Sequence, residues 1–555
     1  MMSNTYYIDG ALFADMVKSG AVNLRNNAQT VNELNVFPIP DGDTGENMAR
    51  TIEGGVSSIA EASDVYSVAE AVARGMLLSA RGNSGVILSQ FFEGMRKGLK
   101  GKTRARVAEL KQAFSAGVEQ AYSAVVKPTE GTILTVMREA TAVAAAVPDD
   151  ESAEKYFSVF IDEMYASLDR TPELLPVLKE SGVIDSGGAG LVYIIEGMNK
   201  ALLGEAEIAH TAHGEVAAAQ ADEANDKFTA DSEMVFGYCT ELIVQLTNKK
   251  TDAEGYDVKT LIDYLEGMGG ESIVAFKTGT RIKLHVHTFE PDKVIAYCLT
   301  VGELVAVKIE NMAMQHTEAV VRNRFERKRN KVERKRFAVV AVADGEGLIE
   351  QFKSLGADYV VDGKQTMNPS TGDFIAAFDE VNADTVFVLP NNSNVVMAAN
   401  QAAELYKKAN IIVINSTTLA EGYSAMSMYD NSSNDAAEIK RIFEQAVEDV
   451  DTGLVTYSVR DCEVGATHLH KGEFMGLCGK DLLANSDDII KAACKLLDKM
   501  DKTDKSVIIA IRGKDYASEE ATAKIAEHVN KKYPDLEFYD FYGGQDVYSF
   551  IFVVE

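Results

Sequence analysis

Residues 34–48 read Leu34-Asn35-Val36-Phe37-Pro38-Ile39-Pro40-Asp41-Gly42-Asp43-Thr44-Gly45-Glu46-Asn47-Met48. Pro38 and Pro40 stiffen the approach, and Gly42 and Gly45 permit a tight turn, so Asp41 and Asp43 are presented on the same side of an extended backbone. Paired carboxylates in this setting suit a hard divalent cation. Magnesium takes oxygen ligands and is usually held by one or two carboxylates plus substrate phosphates. Thr44 and the amides after it open a helix, whose N-terminus favours an anion. An Asp-Gly turn with a capping threonine is the plainer reading, and composition alone leaves both open.

Working outward, from about residue 9 to 200 the apolar residues recur at helical spacing, as in Val65, Val68, Ala69, Val72 and Met76, then Ile87, Phe91 and Met95. Glycine turns at Arg81-Gly82-Asn83-Ser84-Gly85 and Asp185-Ser186-Gly187-Gly188 separate the helices, which predicts a helical bundle with a polar rim. A phosphate loop of the GxxxxGK[ST] type is absent: at Gly101-Lys102-Thr103, Arg96 stands where the first glycine belongs. The HRD and DFG motifs of protein kinases are absent too. A nucleotide therefore needs another scaffold. The turns at 82–85, 131–132 and 185–188 are the candidates, because backbone amides approach phosphates where side chains are missing.

The chain of 555 residues is several times the usual domain size, which predicts several domains. Its hydrophobic fraction of 46% and charged fraction of 25% are those of a globular protein. A net charge of −29 repels nucleic acid and anionic lipid alike, so neither is an expected partner. The N-terminal residues lack a basic stretch followed by an apolar core, and no segment is apolar over about 18 residues. Five cysteines without CxxC spacing read as reduced thiols. The expectation is a cytoplasmic protein with no stable membrane insertion.

Residues 205–230 are rich in Ala, Glu and Asp and read as a linker. After it, Cys239–Leu246 and Thr280–His287 alternate like strands around a helix-like segment at 257–268, which predicts an α+β domain over 231–321. Arg322–Arg336 holds nine Lys or Arg against two Glu and reads as a basic linker, with a nucleic-acid arm as the sharper alternative. From 337 to 555, buried-strand patterns at Phe337–Val342, Thr385–Leu389, Ile411–Ile414 and Val507–Ile511 alternate with helical segments, as in an α/β region.

Four phrases in order, NVFPIPDGDTGENM, SARGNSGVILSQ, EGTILTV and TPELLPVLKESGVIDSGGAGL, closely resemble the nucleotide-binding domain of the DhaL-type subunit of dihydroxyacetone kinases. With the added middle domain and an α/β region ending in Phe541-Tyr542-Gly543-Gly544-Gln545, the whole chain resembles the kinase subunit of bacterial fatty acid kinase. The resemblance implies a multidomain fold: an all-α DhaL-like helical barrel over 1–204, the α+β middle domain, and a DegV-like α/β region that docks a partner. It implies ATP held through two magnesium ions, with ligands matching Asp41 and Asp43. Dihydroxyacetone kinases place a third aspartate a few residues upstream; Asn35 is the nearest oxygen ligand here. Thr44, Asn47, Gly82, Asn83, Ser84, Gly131 and Thr132 fall in segments resembling the phosphate-contacting loops, and Asp185, Gly187 and Gly188 match the loop near adenine and ribose. A turn or cap role fits each of these residues equally well.

The implied reaction, in phospholipid metabolism, moves the ATP γ-phosphoryl group to the carboxylate of a fatty acid presented by a separate DegV-like lipid-binding protein. A homodimer is the expected assembly. A kinase of a small hydroxylated metabolite and a non-catalytic nucleotide-binding regulator are the competing readings; a regulator need not keep both Asp41 and Asp43.

In the middle domain, His285-Val286-His287 puts both imidazoles on one strand face. One thiolate, Cys239, and two imidazoles suit zinc, with His316 or water as a fourth ligand. A Cys-His nucleophile and plain burial remain alternatives from spacing, and the resemblance implies zinc. The loops Gly363–Ser370 and Pro390–Asn394 stand at expected strand ends, where open sheets bind ligands or simply turn. His468 and His470 form a second HxH with no third ligand evident and read as structural.

Overall fold

The computed structural model describes residues 5–35, 43–59, 64–205, 238–268, 271–278, 280–311, 334–363, 368–430, 433, 435–464 and 467–555. Met1–Ala209 and Arg334–Glu555 form one compact unit, and His210–Glu333 a second.

In the first unit the N-terminal part is helical: α1 (Gly10–Glu33), α2 (Thr44–Ser57), α3 (Val65–Ser79), α4 (Gly82–Gly98), α5 (Val107–Ser123), α6 (Ile133–Ala144), α7 (Ala153–Leu174), α8 (Pro176–Ser181) and α9 (Ser186–Leu202). From α1 to α8 neighbours in sequence pack on one another, α9 packs on α7 and returns to α1, and so the helices close into a ring. The apolar stripe of each helix supplies the interior. Phe114 meets Phe91, Tyr156, Phe157 and Phe160 edge to face, with centroids 4.7–6.0 Å apart, an arrangement the ring quadrupoles favour. Helix starts are capped by Asp9, Asp64, Ser152 and Asp185, whose side chains accept first-turn amides. Gly45 lets α2 start against α1: a Cβ there would lie 2.2 Å from the Ala28 carbonyl oxygen.

The C-terminal part of this unit holds two sheets. Strands β5 (Lys335–Ala343), β6 (Tyr359–Asp362), β7 (Ala383–Leu389) and β8 (Asn410–Val413) form a parallel sheet in the order β6-β5-β7-β8. Its connections run through α12 (Glu346–Ser354), α13 (Thr371–Val381) and α14 (Val396–Leu405), followed by α15 (Leu419–Ser427) and α16 (Ala436–Asp449). Burial on both faces explains why Val339–Ala343 and Val386–Leu389 are unbroken apolar runs. The other sheet has the order β13-β12-β9-β16-β14-β15. It comprises β9 (Asp451–Tyr457), β12 (Phe474–Cys478), β13 (Asp481–Ser486), β14 (Val507–Arg512), β15 (Glu537–Tyr542) and β16 (Phe550–Val554), with α17 (Ile489–Lys499) and α18 (Glu519–Lys532). Only its β14–β15 pair is parallel. A two-stranded ribbon, β10 (Cys462–Val464) with β11 (Thr467–Leu469), precedes β12.

The two parts of the unit are joined by packing of α13 and α14 on α3 and α4. Ala80 and Val86 belong to the same apolar core as Val342, Phe374 and Ala398. Among the described residues no helix is long and apolar enough to cross a membrane.

The second unit is an antiparallel sheet in the order β2-β3-β1-β4, made of β1 (Tyr238–Leu246), β2 (Glu271–Thr278), β3 (Arg281–Thr288) and β4 (Gly302–Asn311). Helices α10 (Val258–Gly267) and α11 (Pro291–Val301) accompany it. Leu242, Val244, Ile282, Leu284 and Val286 share its core with Leu261, Leu265 and Val294.

Candidate active site

The N-termini of α2, α4, α6 and α9 gather at one rim of the helical ring. Gly82, at the start of α4, has φ +58, and a Cβ there would lie 2.6 Å from Asn47 Nδ2 on α2. Glycine takes that backbone conformation without strain and leaves that space for Asn47. A Cβ on Gly187 of α9 would lie 3.3 Å from Ile133 Cβ on α6 and 3.5 Å from Ser84 Oγ on α4. Four helix N-termini thus lie close together, and helix N-termini are where phosphate is favoured.

Around this rim stand oxygen donors. Asp43 is the N-cap of α2, and its Oδ1 accepts from Asn47 Nδ2 at 2.8 Å. Its Oδ2 accepts from Asn368 Nδ2 in the loop after β6. Asn35 follows α1, and its Oδ1 accepts from Thr44 Oγ1 at 2.8 Å and from Ser186 Oγ at 3.4 Å. Asn32 Oδ1 accepts the Gly45 amide at 2.7 Å, tying α1 to the first turn of α2. Asp41 lies outside the described residues, so the described part of the aspartate pair is Asp43.

The remaining candidates are placed as follows. Thr132 caps α6, accepting from the Leu134 amide at 3.4 Å and donating to the Thr129 carbonyl at 2.7 Å, directly after Gly131 with φ +81. Asp185 caps α9, with Oδ2 accepting the Gly188 amide at 2.6 Å. Desolvation pushes its carboxyl up to about 6, against the hydrogen bond from Gly188. Asn83 Nδ2 donates to Asn394 Oδ1 at 3.2 Å, while Asn83 Oδ1 is buried without a hydrogen-bond partner among the described residues. Such an orphaned acceptor beside the first-turn amides of a helix is a group that bound water or ligand would satisfy.

Among the described residues no group of three or more His, Cys, Asp or Glu side chains is close enough to hold a metal. What Asn35, Asp43, Thr44 and Ser186 offer is an all-oxygen set, which fits magnesium and not a soft metal. In the second unit, strand register pairs Cys239 with His287 and Glu241 with His285. Positions 285 and 287 alternate with the core residues Leu284 and Val286. His316 lies outside the described residues. His468 and His470 sit on and beside β11 with ring centroids 4.7 Å apart.

Several rim residues carried no signal of a role in the sequence. Arg81 Nη1 donates to the Asn368 carbonyl at 3.0 Å. Arg460, just before β10, donates to the carbonyls of Glu33 at 2.8 Å and Asn35 at 2.6 Å. Asn368 and Asn394 lie in the two polar loops noted at strand ends, which turn out to meet the helical rim. Lys364 to Met367 of the first loop are outside the described residues.

The profile of the DAK2 domain matches residues 38–200, the part that carries the rim. The fold and this match define a phosphotransferase of the kinase class. FakA-like profiles, those of the middle and C-terminal domains of a fatty acid kinase, match residues 235–319 and 338–555. Protein YloV of Bacillus subtilis is 38% identical over 555 residues, covering 99% of each chain, and an uncharacterized Staphylococcus epidermidis protein, SERP0792, is 38% identical over 559 residues with the same coverage. The chain belongs to the FakA-like family of fatty acid kinase proteins.

Among solved structures, DegV, a fatty acid binding protein from Bacillus subtilis, aligns with 40% of this chain and 99% of its own, at 16% identity and a TM-score of 0.30. The dihydroxyacetone kinase of C. freundii, solved with AMP-PNP and Mg2+, aligns over 35% of each chain at 19% identity and a TM-score of 0.28.

Proposed function

We propose that this chain transfers the γ-phosphoryl group of ATP to the carboxylate of a fatty acid presented by a separate lipid-binding protein. A fatty acid carboxylate oxygen forms a bond to the γ-phosphorus, the bond from that phosphorus to the bridging oxygen breaks, and ADP leaves with the electron pair. The products are acyl phosphate and ADP. With an unperturbed pKa of about 4 the acceptor is already anionic at neutral pH, so the step needs no general base.

The observation that carries this reading is the position of Asp43 where four helix N-termini converge, in a chain related over its whole length to the FakA-like family. The obstacle to the reaction is repulsion between two anions, and oriented amides offset it while stabilising charge spread over the transferring group. Asn35, Asp41 and Asp43 would hold magnesium, which when bound neutralises phosphate charge. The amides at 82–85, 131–132 and 185–188 would hold the nucleotide. In the same reading Cys239, His285 and His287 bind zinc, supported by the direct pairing of Cys239 with His287.

The test is ATP consumption by the purified chain with and without a fatty-acid-loaded DegV-like partner. Turnover dependent on the loaded partner, with acyl phosphate trapped by hydroxylamine, is the expected result. Turnover with a small polyol in place of the partner would replace this reading with that of a metabolite kinase.

A further inference from the structure

The rim is built by both ends of the first unit, and the contact between Asn368 and Asp43 has a chemical consequence. Asn368 is 3% exposed and stands where its backbone is held from several sides. Pro369 follows it and restricts its backbone to extended conformations. Ser370 then caps α13 in a reciprocal pair with Asp373. The Thr371 amide donates to the Ala80 carbonyl at 3.2 Å, and Arg81 holds the Asn368 carbonyl at 3.0 Å. The loop is therefore pinned to residues 80 and 81, immediately before the glycine turn that opens α4.

Asn368 Nδ2 donates to Asp43 Oδ2, while Asn47 Nδ2 holds Oδ1. Among the described contacts, one amide from its own helix and one from 325 residues further along the chain thus help to orient this carboxylate. An ionised carboxylate has about four lone-pair sites, so one that is oriented by amide donors can also ligate a cation. Groups that orient a ligating carboxylate strengthen metal binding without touching the metal. Arg460 acts in parallel on the backbone, holding the carbonyls of Glu33 and Asn35 beside the other oxygen donor of the rim.

We propose that Asn368 is a positioning residue of the phosphoryl-transfer site, contributed by the C-terminal α/β region, and that it orients Asp43 for magnesium. The assignment rests on reading Asp43 as a magnesium ligand. The C-terminal region, on this view, completes the nucleotide site as well as serving a partner.

The test uses the full chain with manganese(II) as probe, its free concentration read by electron paramagnetic resonance in the presence of a non-hydrolysable ATP analogue. Asn368→Ala and the near-isosteric Asn368→Leu are expected to weaken manganese binding about 10- to 100-fold. The magnesium concentration for half-maximal ATP turnover should rise by a similar factor, with turnover at saturating magnesium changed less than about threefold. A purely structural role would instead lower turnover at all magnesium concentrations. Arg81→Ala, which releases the Asn368 carbonyl from a partly buried side chain, is a milder variant expected to move the same two readouts in the same direction. Unchanged or tighter manganese binding in folded Asn368→Leu, with binding lost in Asp43→Ala, overturns the positioning role alone. Unchanged binding in Asp43→Ala overturns the magnesium reading of Asp43 and this assignment with it.

Discussion

Gln401 on α14 accepts a hydrogen bond from Gln90 on α4 at 2.8 Å and donates one to the Leu77 carbonyl at the end of α3, also at 2.8 Å. Gln90 and Gln401 are both nearly inaccessible, so this amide pair is a buried polar joint between the helical ring and the α/β region. Replacing Gln401 by Ala leaves buried donors and acceptors without partners. The expected cost is about 1–3 kcal/mol, read as a lower urea midpoint of helix loss in the full chain. An unchanged midpoint would mean that the joint contributes nothing to holding the two parts together.

Asp43→Asn keeps the volume of the side chain, but it replaces one of the two accepting oxygens by a donor and loses the charge a cation needs. ATP turnover should fall by at least about 100-fold, while the circular dichroism spectrum stays that of the parent. Turnover within a few-fold of wild type would remove Asp43 from the proposed chemistry.

Gly82→Ala places a methyl group 2.6 Å from Asn47 Nδ2 and forces a left-handed φ on an alanine. The backbone term alone is about 1 kcal/mol. Because Asn47 holds Asp43, the clash reaches the site, and KM for ATP should rise together with a small loss of thermal stability. Normal ATP affinity would show that the start of α4 yields without disturbing Asn47.

Asp344, at the end of β5, is 7% exposed and accepts the Asp546 amide at 3.1 Å. Burial first, and then the nearby charges of Asp546 and Asp362, push its carboxyl up to about 6. A raised carboxyl means the folded chain binds the proton more tightly than the unfolded chain. Its contribution to stability therefore falls as pH rises from about 4 through about 6, and stays low above that, by up to about 3 kcal/mol. Asp344→Asn should melt at a higher temperature than wild type at pH 8 and lose that advantage near pH 4.5. A variant equally stable at both values would contradict the sign.

Cys239 and His287 are direct partners across β1 and β3, with His285 two residues along the same strand. Under the zinc reading, plasma emission analysis finds about one zinc per chain, and Cys239→Ala, His285→Ala and His287→Ala each lower retention. Metal-free protein with a rapidly alkylated Cys239 would favour a nucleophile instead.

Much of this architecture was legible in the residues. Helical periodicity around Val65–Met76 and Ile87–Met95, and apolar runs at Phe337–Val342 and Thr385–Leu389, correspond to α3, α4, β5 and β7, because each pattern reports burial on a face that the element itself defines. The four-residue strand β6 and the hairpins around β12 were not singled out. Unlike Ile411–Ile414 and Val507–Ile511, these strands hold no unbroken apolar run: β6 has only Val360-Val361 before Asp362, Gly476 interrupts β12, and Asp481, Asn485 and Ser486 flank the apolar part of β13. The placement of the candidate residues was legible where it is local: Asp43 caps α2, Asn47 lies in its first turn and Gly82 opens α4 at a positive φ, each within a glycine-bearing segment that announces backbone demands.

By itself, then, the sequence determined the helical nature of the first 200 residues and the α/β character after residue 337, since these depend on spacing within one element. Only the tertiary structure decided that Asn368 and Arg460 reach the rim, that Gln401 meets Gln90, and that Asp344 is buried beside Asp546. A hydrogen bond between residues hundreds of positions apart leaves no period and no spacing in the chain. It exists because α13 and α14 pack on α3 and α4, and so bring the loop ends of a parallel sheet against the N-termini of the helices.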